Sequence, residues 1–304
     1  MRSATLLTVL LAAIAAGFAQ PSVPLHYTSA NVRGTLLRYT TFPSQFITPR
    51  EVDIWLPESY VADSNTSYPV IYMQDGQNLF DPALNDFNHT EWQVDESITR
   101  LVAEKKIQPA IVVGIWNTRE KRRQEYMPAK AAALAARSGR IPIVRNDTID
   151  VAEITSDLYL RFLVEELKPF VDANYHTLPQ RDSTFLMGSS MGALISAYAI
   201  SEYPQVFGAA ACLSTHWPAA GGVMVEYLAT HLPSSATHRF YFDHGSTTLD
   251  ASYAPFQQRV DRLMKAAGYQ RGVNWETKVF PGAKHEESAW AARLDVPLTF
   301  LLHP

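Results

Sequence analysis

The sequence predicts an α/β fold in which a mostly parallel sheet lies between two layers of helices. Short, continuous apolar runs rich in β-branched residues, at 69–73 and 110–115, are typical of central parallel strands buried on both faces. Segments with apolar residues at helical spacing separate the runs, and strands that alternate with helices favour a parallel sheet and a three-layer sandwich. In such folds the active site lies at the carboxyl ends of the strands.

The predicted elements follow one another with no internal repeat and no long Gly/Ser linker, so we expect one domain over residues 20–304. Two early strands that alternate apolar and polar residues, at 32–41 and 51–56, precede the central ones. A helix over 154–170 should begin at Ser156 or Asp157 and be disturbed at Pro169. The remaining strands are expected at 184–187, 209–213, 239–242 and 275–280, and the remaining helices around 94–102, 194–198 and 253–267.

Composition narrows the class of protein. The 304 residues hold 26 Lys+Arg against 30 Asp+Glu, a net charge of −4, and 47% apolar side chains. These values exclude collagen, a disordered tail and a polytopic membrane protein, and they lack the basic excess that nucleic acid or an anionic membrane demands. The single cysteine, Cys212, excludes an internal disulfide and a cysteine zinc cluster. No obligatory protein partner is indicated.

Residues 1–19 predict a signal peptide. Arg2 supplies the positive start, 6–14 the apolar core, and 17–19 a small-x-small site, so we expect cleavage after Ala19 and a secreted or periplasmic protein of net charge −5. Asn-x-Ser/Thr sequons begin at Asn65, Asn88 and Asn146 and matter only in a host that glycosylates.

One segment, at about 116–153, interrupts the alternation and predicts an insertion. A segment of this length is typical of a lid or binding loop, and a solvated excursion with no ligand is an equal alternative. Its charged run at 119–123, Arg-Glu-Lys-Arg-Arg, could meet an anionic or catecholate substrate, but a solvated charged face is favoured.

The motif Gly-Ser-Ser-Met-Gly at 188–192 matches Gly-x-Ser-x-Gly between a predicted strand and a predicted helix. A sharp strand-turn-helix elbow exposes the central serine, and the flanking glycines permit the close backbone approach that the turn requires. The register makes Ser190 the candidate nucleophile and Ser189 the first variable residue.

A serine hydroxyl needs a base, and in this fold class the partners follow in the order Ser, Asp or Glu, His. His285 lies in a loop after the last strand and is the candidate base. Asp250, in the loop after strand 239–242, is the candidate acid, with Asp243 at the strand end as the alternative. Of the other late histidines, His303 is penultimate, and His244 lies close to the acid candidates.

Developing negative charge on the substrate oxygen needs preorganised donors. The backbone N–H of Met191 directly follows the nucleophile at a helix N-terminus, and the N–H of Gln77 follows Gly76 in the loop after strand 69–73. A plain Asp-Gly turn is the alternative interpretation of that loop. His216 and Trp217, after strand 209–213, are candidates to border the acyl pocket.

Five segments of the sequence form a pattern in this order: Tyr-Met-Gln-Asp-Gly-Gln-Asn-Leu-Phe80, Gly-Ile-Trp-Asn-Thr118, Glu-Tyr-Met-Pro128, Gly-Ser-Ser-Met-Gly192 and Gly-Ala-Lys-His-Glu286. Together they resemble the putative esterase family of α/β-hydrolases, which includes feruloyl and acetyl-xylan esterases, esterase D, siderophore esterases and mycolyltransferases. The similarity covers roughly residues 32 to 302 and implies Ser190, His285 and Asp250 as the catalytic residues, with oxyanion donors at Gln77 and Met191. Other members carry His-Gly where this chain has Gln-Asp-Gly.

The leading hypothesis is therefore a serine carboxylesterase that needs no metal or cofactor and acts on a small-molecule or saccharide ester through an acyl-enzyme. Two alternatives share its fold: an acyltransferase on the same site, and a non-catalytic binding protein. A metallohydrolase that uses His216, His244 and His285 is the third alternative, but no ligand spacing of the H-E-x-x-H kind supports it.

Overall fold

A nine-stranded sheet forms the centre of the part of the chain that the structure, a computed structural model, describes: residues 21–62, 64–85, 88–139, 143–144 and 147–303. The predicted signal peptide, with its cleavage point after Ala19, lies outside these residues, as does Asn146. No helix within the described ranges is long and apolar enough to cross a bilayer.

The strands lie in the order β1-β2-β3-β5-β4-β8-β9-β10-β11, with a separate two-stranded ribbon of β6 and β7. The first three strands pair antiparallel at one edge, and the six from β5 to β11 in that order are parallel. The mostly parallel sheet that the sequence predicts is thus confirmed. The strands are β1 Leu25–Tyr27, β2 Thr35–Phe42, β3 Arg50–Leu56, β4 Val70–Gln74, β5 Ile111–Ile115, β6 Ile143–Val144, β7 Asp147–Thr148, β8 Thr184–Ser189, β9 Ala209–Leu213, β10 Arg239–His244 and β11 Trp275–Val279.

Helices cover both faces of the sheet. Successive residues of a strand point to opposite sides, so both faces present apolar side chains that a layer of helices buries. In β4, Val70 and Tyr72 belong to an apolar cluster on one face, to which helices α3 to α8 also contribute side chains. Ile71 and Met73 belong to the cluster on the other face, together with side chains of α1 and α10. The helices are α1 Val94–Ala103, α2 Arg122–Tyr126, α3 Ala129–Arg137, α4 Ser156–Arg161, α5 Lys168–Asn174, α6 Met191–Glu202, α7 Val223–His231, α8 Ala254–Ala266, α9 Glu287–Ala291 and α10 Asp295–Leu302.

The strand order reverses at β4, and this reversal places the site. From β4 the chain goes first to β5 on one side and later to β8 on the other. A crevice opens outside the carboxyl ends of the strands at such a switch point. Residues that follow β4 and residues that follow β8 therefore meet there.

The sequence prediction lacks strands β1, β6 and β7 and helices α2, α3, α7, α9 and α10, and two of the predicted elements differ in detail. The helix expected over 154–170 begins at Ser156 but contains a π-helical turn, Phe162–Leu167, ahead of Pro169, where the Lys168 N–H bonds back to the Leu163 carbonyl. Strand β10 continues to His244, so Asp243 lies inside a strand rather than at its end.

Candidate active site

Ser190 occupies the sharp turn between β8 and α6, with φ 56° and ψ −121°. A non-glycine residue held in this region costs on the order of 1–3 kcal/mol, and such strain clusters at functional sites. Both flanking glycines are required by close contacts: a Cβ on Gly188 would lie 2.6 Å from the Gly192 backbone, and one on Gly192 would lie 2.9 Å from Gln74 Cβ.

A continuous hydrogen-bonded chain joins Ser190, His285 and Asp250. The Ser190 Oγ lies 2.9 Å from His285 Nε2, and His285 Nδ1 lies 2.6 Å from Asp250 Oδ1. The rings of Tyr253 and Trp290 contact the imidazole edge-on, with centroid distances of 5.7 and 5.1 Å. The structure thus brings together the three residues that the sequence singled out, with two aromatic rings packed against the imidazole.

Asp250 lies in a short 3-10 helix, Thr248–Ser252, and is 1% exposed, so its surroundings are more enclosed than the open loop expected from sequence. Its Oδ2 accepts hydrogen bonds from the Ser214 hydroxyl and the Gly245 N–H, both at 2.6 Å. Burial raises the pKa of Asp250, but hydrogen bonds from His285 and Ser214 outweigh it and hold that pKa below its usual range. The carboxylate is therefore ionised at neutral pH.

Asp243, the alternative acid, is hydrogen-bonded to residues other than His285. Its carboxylate accepts bonds from Arg293 Nη2 at 2.9 Å, the Tyr241 hydroxyl at 3.0 Å and the Ser214 N–H at 3.2 Å. Burial raises the pKa of Asp243, and the Arg293 guanidinium opposes that rise. Asp243 is thus the buried partner of Arg293, and Asp250 is the carboxylate that reaches His285.

Ser214 is a site residue that sequence reasoning missed. It directly follows β9 with φ 43°, and its Oγ donates to Asp250 while accepting from Trp290 Nε1 at 3.0 Å and Arg293 Nη2 at 2.9 Å. The only sequence signal was its place at the carboxyl end of a buried strand next to the elbow, since the Ser190 N–H bonds to the Leu213 carbonyl.

Two backbone N–H groups lie at helix starts beside the elbow, where the first N–H groups have no intrahelical partner. Met191 is the first residue of α6, and Gln77 lies in the short 3-10 helix Gly76–Asn78. Gly76 packs so closely that a Cβ would lie 2.6 Å from the Gly114 backbone. Because Gly192 contacts the end of β4, the two predicted oxyanion donors are carried by adjoining segments.

The turn before Gln77 is fixed by an ion pair. Asp75, with φ 59°, accepts two hydrogen bonds from Arg122 at 2.7 Å and one from Asn117 Nδ2 at 2.6 Å. The prediction of a solvated charged face at 119–123 is therefore wrong for Arg122, whose guanidinium points inward to Asp75. It is confirmed for residues 119–121, which are exposed. Aspartate in the Gln-Asp-Gly segment explains the inward turn, because it supplies the counter-charge.

The other predicted residues lie close by but are enclosed. The His216 N–H bonds to the Ser190 carbonyl at 3.1 Å, and its Nδ1 lies 2.6 Å from the Tyr253 hydroxyl. Trp217 is 1% exposed and donates to Gln257, so its side chain belongs to the core. Their role beside an acyl pocket stays a prediction. Within the described ranges, the ring nitrogens of His216, His244 and His285 do not converge as metal ligands.

The comparison with known families adds to this geometry. The model of the family described as "Putative esterase" matches residues 44–301, which is most of the chain. The chain belongs to the putative esterase family. Two curated relatives are from Bacillus subtilis (strain 168): "Uncharacterized protein YbbA", 27% identical over 169 residues, and "Uncharacterized protein YjcH", 24% identical over 176 residues. These matches cover 55% and 58% of this chain, and they span 58% and 59% of the two relatives' own lengths.

Solved structures share the fold of this member of the putative esterase family. A ferulic acid esterase superposes with a TM-score of 0.62 at 17% identity, covering 89% of this chain and 98% of its own. The BES protein from Bacillus cereus superposes with a TM-score of 0.64 at 16% identity, covering 92% of this chain and 98% of its own. The enterochelin esterase from Shigella flexneri superposes with a TM-score of 0.55 at 20% identity, covering 84% of this chain and 55% of its own. These similarities establish an α/β-hydrolase fold.

Proposed function

We propose that this member of the putative esterase family is a serine carboxylesterase that works through an acyl-enzyme. The observation that carries the proposal is the pair of hydrogen bonds that His285 makes. Its Nε2 lies 2.9 Å from the Ser190 Oγ, and its Nδ1 lies 2.6 Å from Asp250 Oδ1. A nucleophile bonded to a base that a third group orients is the arrangement that activates a serine hydroxyl.

In the first half of the reaction, Ser190 Oγ forms a bond to the ester carbonyl carbon while His285 Nε2 takes the hydroxyl proton. The carbonyl electron pair moves to its oxygen, and the N–H groups of Gln77 and Met191 stabilise that oxyanion. When the pair returns, the bond to the alcohol oxygen breaks, and the alcohol leaves with the proton from His285. Asp250 stays ionised and stabilises the imidazolium.

In the second half, water attacks the acyl carbon and gives its proton to His285. The tetrahedral intermediate collapses, the Ser190 Oγ takes the proton back, and the carboxylic acid is released. The net reaction is ester plus water giving acid plus alcohol. An acyltransferase differs only in that another alcohol replaces this water.

We propose a small-molecule or saccharide carboxylic ester as the substrate class. Support comes from the family and from structural neighbours named as ferulic acid, enterochelin and enterobactin esterases. The test is a panel of p-nitrophenyl acetate to octanoate, methyl ferulate, acetylated xylan and a triscatecholate siderophore. Turnover of one class that exceeds the others by at least about tenfold identifies it.

The nucleophile is tested independently of the natural substrate by a fluorophosphonate probe and peptide mass mapping. We expect one adduct on Ser190, retained in Ser189→Ala and lost in Ser190→Ala. An adduct on another residue, or no hydrolysis of any ester by correctly folded protein, would contradict the proposal and favour the binding-protein alternative.

We also propose that the protein is exported and cleaved after Ala19. The support is the sequence pattern alone, a positive start followed by an apolar run and small residues. N-terminal sequencing of protein recovered from outside the cytoplasm should begin at Gln20. Full-length protein retained with the cells would contradict this proposal and leave the enzymatic one untouched.

A further inference from the structure

Three acidic side chains converge where α1 begins, on the opposite face of the sheet from α6. One carboxylate oxygen each from Glu91, Asp95 and Glu96 lies within 4.8 Å of one from each of the others. None of these residues belongs to the site described above. Acidic residues in a first helical turn are common because the helix dipole favours them, so their presence alone indicates no ligand.

Burial without partners sets this cluster apart. Asp95 is fully buried and Glu91 is 8% exposed. The Glu91 Oε2, Asp95 Oδ1 and Glu96 Oε2 atoms are shielded from solvent and have no hydrogen-bond donor in the described part of the chain. The other oxygen of Asp95 accepts the Arg33 N–H at 2.6 Å, which fixes the side chain in place.

The charge of the three carboxylates is not compensated by an ion pair with Lys, Arg or His within the described ranges. Buried charges in proteins are paired, coordinate a metal or are neutralised by protons.

We propose that Glu91, Asp95 and Glu96 bind a divalent cation, Ca²⁺ in preference to Mg²⁺. Carboxylate oxygens are the ligands that both hard cations prefer. Mg²⁺ gives up its bound waters reluctantly and usually keeps several of them, whereas Ca²⁺ accepts a flexible set of oxygen ligands from the protein. The three carboxylate oxygens are shielded from solvent, which favours the ion that keeps fewer waters. Waters or carbonyls complete its coordination.

The cation has a structural role with a route to the active site. Trp92, between the proposed ligands, packs on Trp290 with a centroid distance of 5.5 Å. Trp290 contacts the His285 ring and donates to the Ser214 hydroxyl. A cation that holds 91–96 in place therefore stabilises the packing behind His285 and takes no part in the bond changes at Ser190.

The test is Ca²⁺-dependent melting of the whole purified protein, stripped with EGTA at pH 8 and titrated with CaCl₂ or MgCl₂. Asp95→Asn removes a central ligand, and Glu104→Gln is the matched control because Glu104 caps the same helix at its exposed end. Glu96→Gln serves as a second variant should Asp95→Asn fail to fold. Calorimetry on the same samples measures the dissociation constants.

We expect Ca²⁺ at about a hundredfold above its dissociation constant to raise the melting temperature by on the order of 5 °C in the wild type and in Glu104→Gln. Asp95→Asn should lose most of that shift, because it removes a central carboxylate ligand. Three results would overturn the proposal: no Ca²⁺ shift in the wild type, an undiminished shift in Asp95→Asn, or an equal shift with Mg²⁺.

Discussion

Replacing Asp250 by Asn is expected to lower kcat by roughly a hundredfold or more with little loss of fold. The carboxylate accepts three hydrogen bonds, from His285 Nδ1, the Ser214 hydroxyl and the Gly245 N–H, each at 2.6 Å. Asparagine has the same shape, but its NH₂ group can donate to His285 and hold the imidazole in the wrong tautomer. A hundredfold loss corresponds to about 2.7 kcal/mol of activation free energy.

Asp243→Asn is the matched control, because it makes the same chemical change a few residues away. It removes the charge that pairs with Arg293 at 2.9 Å, where the two side chains are 0% and 3% exposed. Breaking a buried ion pair costs about 3–5 kcal/mol, which at about 2–4 °C per kcal/mol lowers the melting temperature by roughly 10 °C. Below that temperature, kcat should stay within about tenfold of wild type.

The two variants are compared by steady-state kinetics at 25 °C, on whichever ester the wild type turns over best, and by thermal melts in the same buffer. The reasoning is refuted if Asp243→Asn abolishes turnover at unchanged stability while Asp250→Asn stays active. If neither change affects kcat, the enzyme works as a Ser190–His285 dyad, and the role proposed for Asp250 is wrong.

The remaining predictions concern the same hydrogen-bonded chain. Ser190→Ala should abolish turnover at a nearly unchanged melting temperature, and Ser189→Ala should keep most activity; the opposite pattern in ester assays would place the nucleophile one residue earlier. Ser214→Ala should lose about 1–3 kcal/mol of unfolding free energy in denaturant titrations, since it leaves two buried N–H donors short of a partner; a loss below about 0.5 kcal/mol would contradict that. His285→Ala should lower kcat at least about a thousandfold; turnover close to wild type would exclude His285 as the base. Because the folded-state pKa of Asp250 is lowered, its contribution to stability is present above the unfolded-state pKa of about 3.9 and is lost as pH falls through the lower folded value. The melting-temperature gap between wild type and Asp250→Asn should therefore narrow below about pH 4, and a gap that widens on acidification would reverse this sign.

The order of strands β2 to β5 and β8 to β11, and the elbow, could be predicted from local sequence because their causes are local. Continuous β-branched runs gave β4 and β5 to within one residue, and apolar spacing gave α1. Gly188 and Gly192 flank Ser190 because a side chain at either position would collide with neighbouring backbone or with Gln74. The preference for Asp250 over Asp243 depends on where each lies relative to a predicted strand. That strand is longer than predicted, and Asp250 is the one of the two that contacts His285.

What only the tertiary structure decided depends on contacts between residues distant in sequence. The Ser214 hydroxyl joins Asp250 to Trp290, and no motif marks it, because the strand-end geometry that aims it appears only when β9 and β10 pair. In the sequence, Arg122 belongs to a charged run that predicts a solvated face. Its ion pair with Asp75 depends on the fold, which brings the two residues together. The carboxylates near Trp92 look like ordinary helix-start acids in sequence, and their burial without partners follows from packing against the sheet. Sequence periodicity records which face of an element is apolar, whereas the partner of a polar side chain is set by long-range packing.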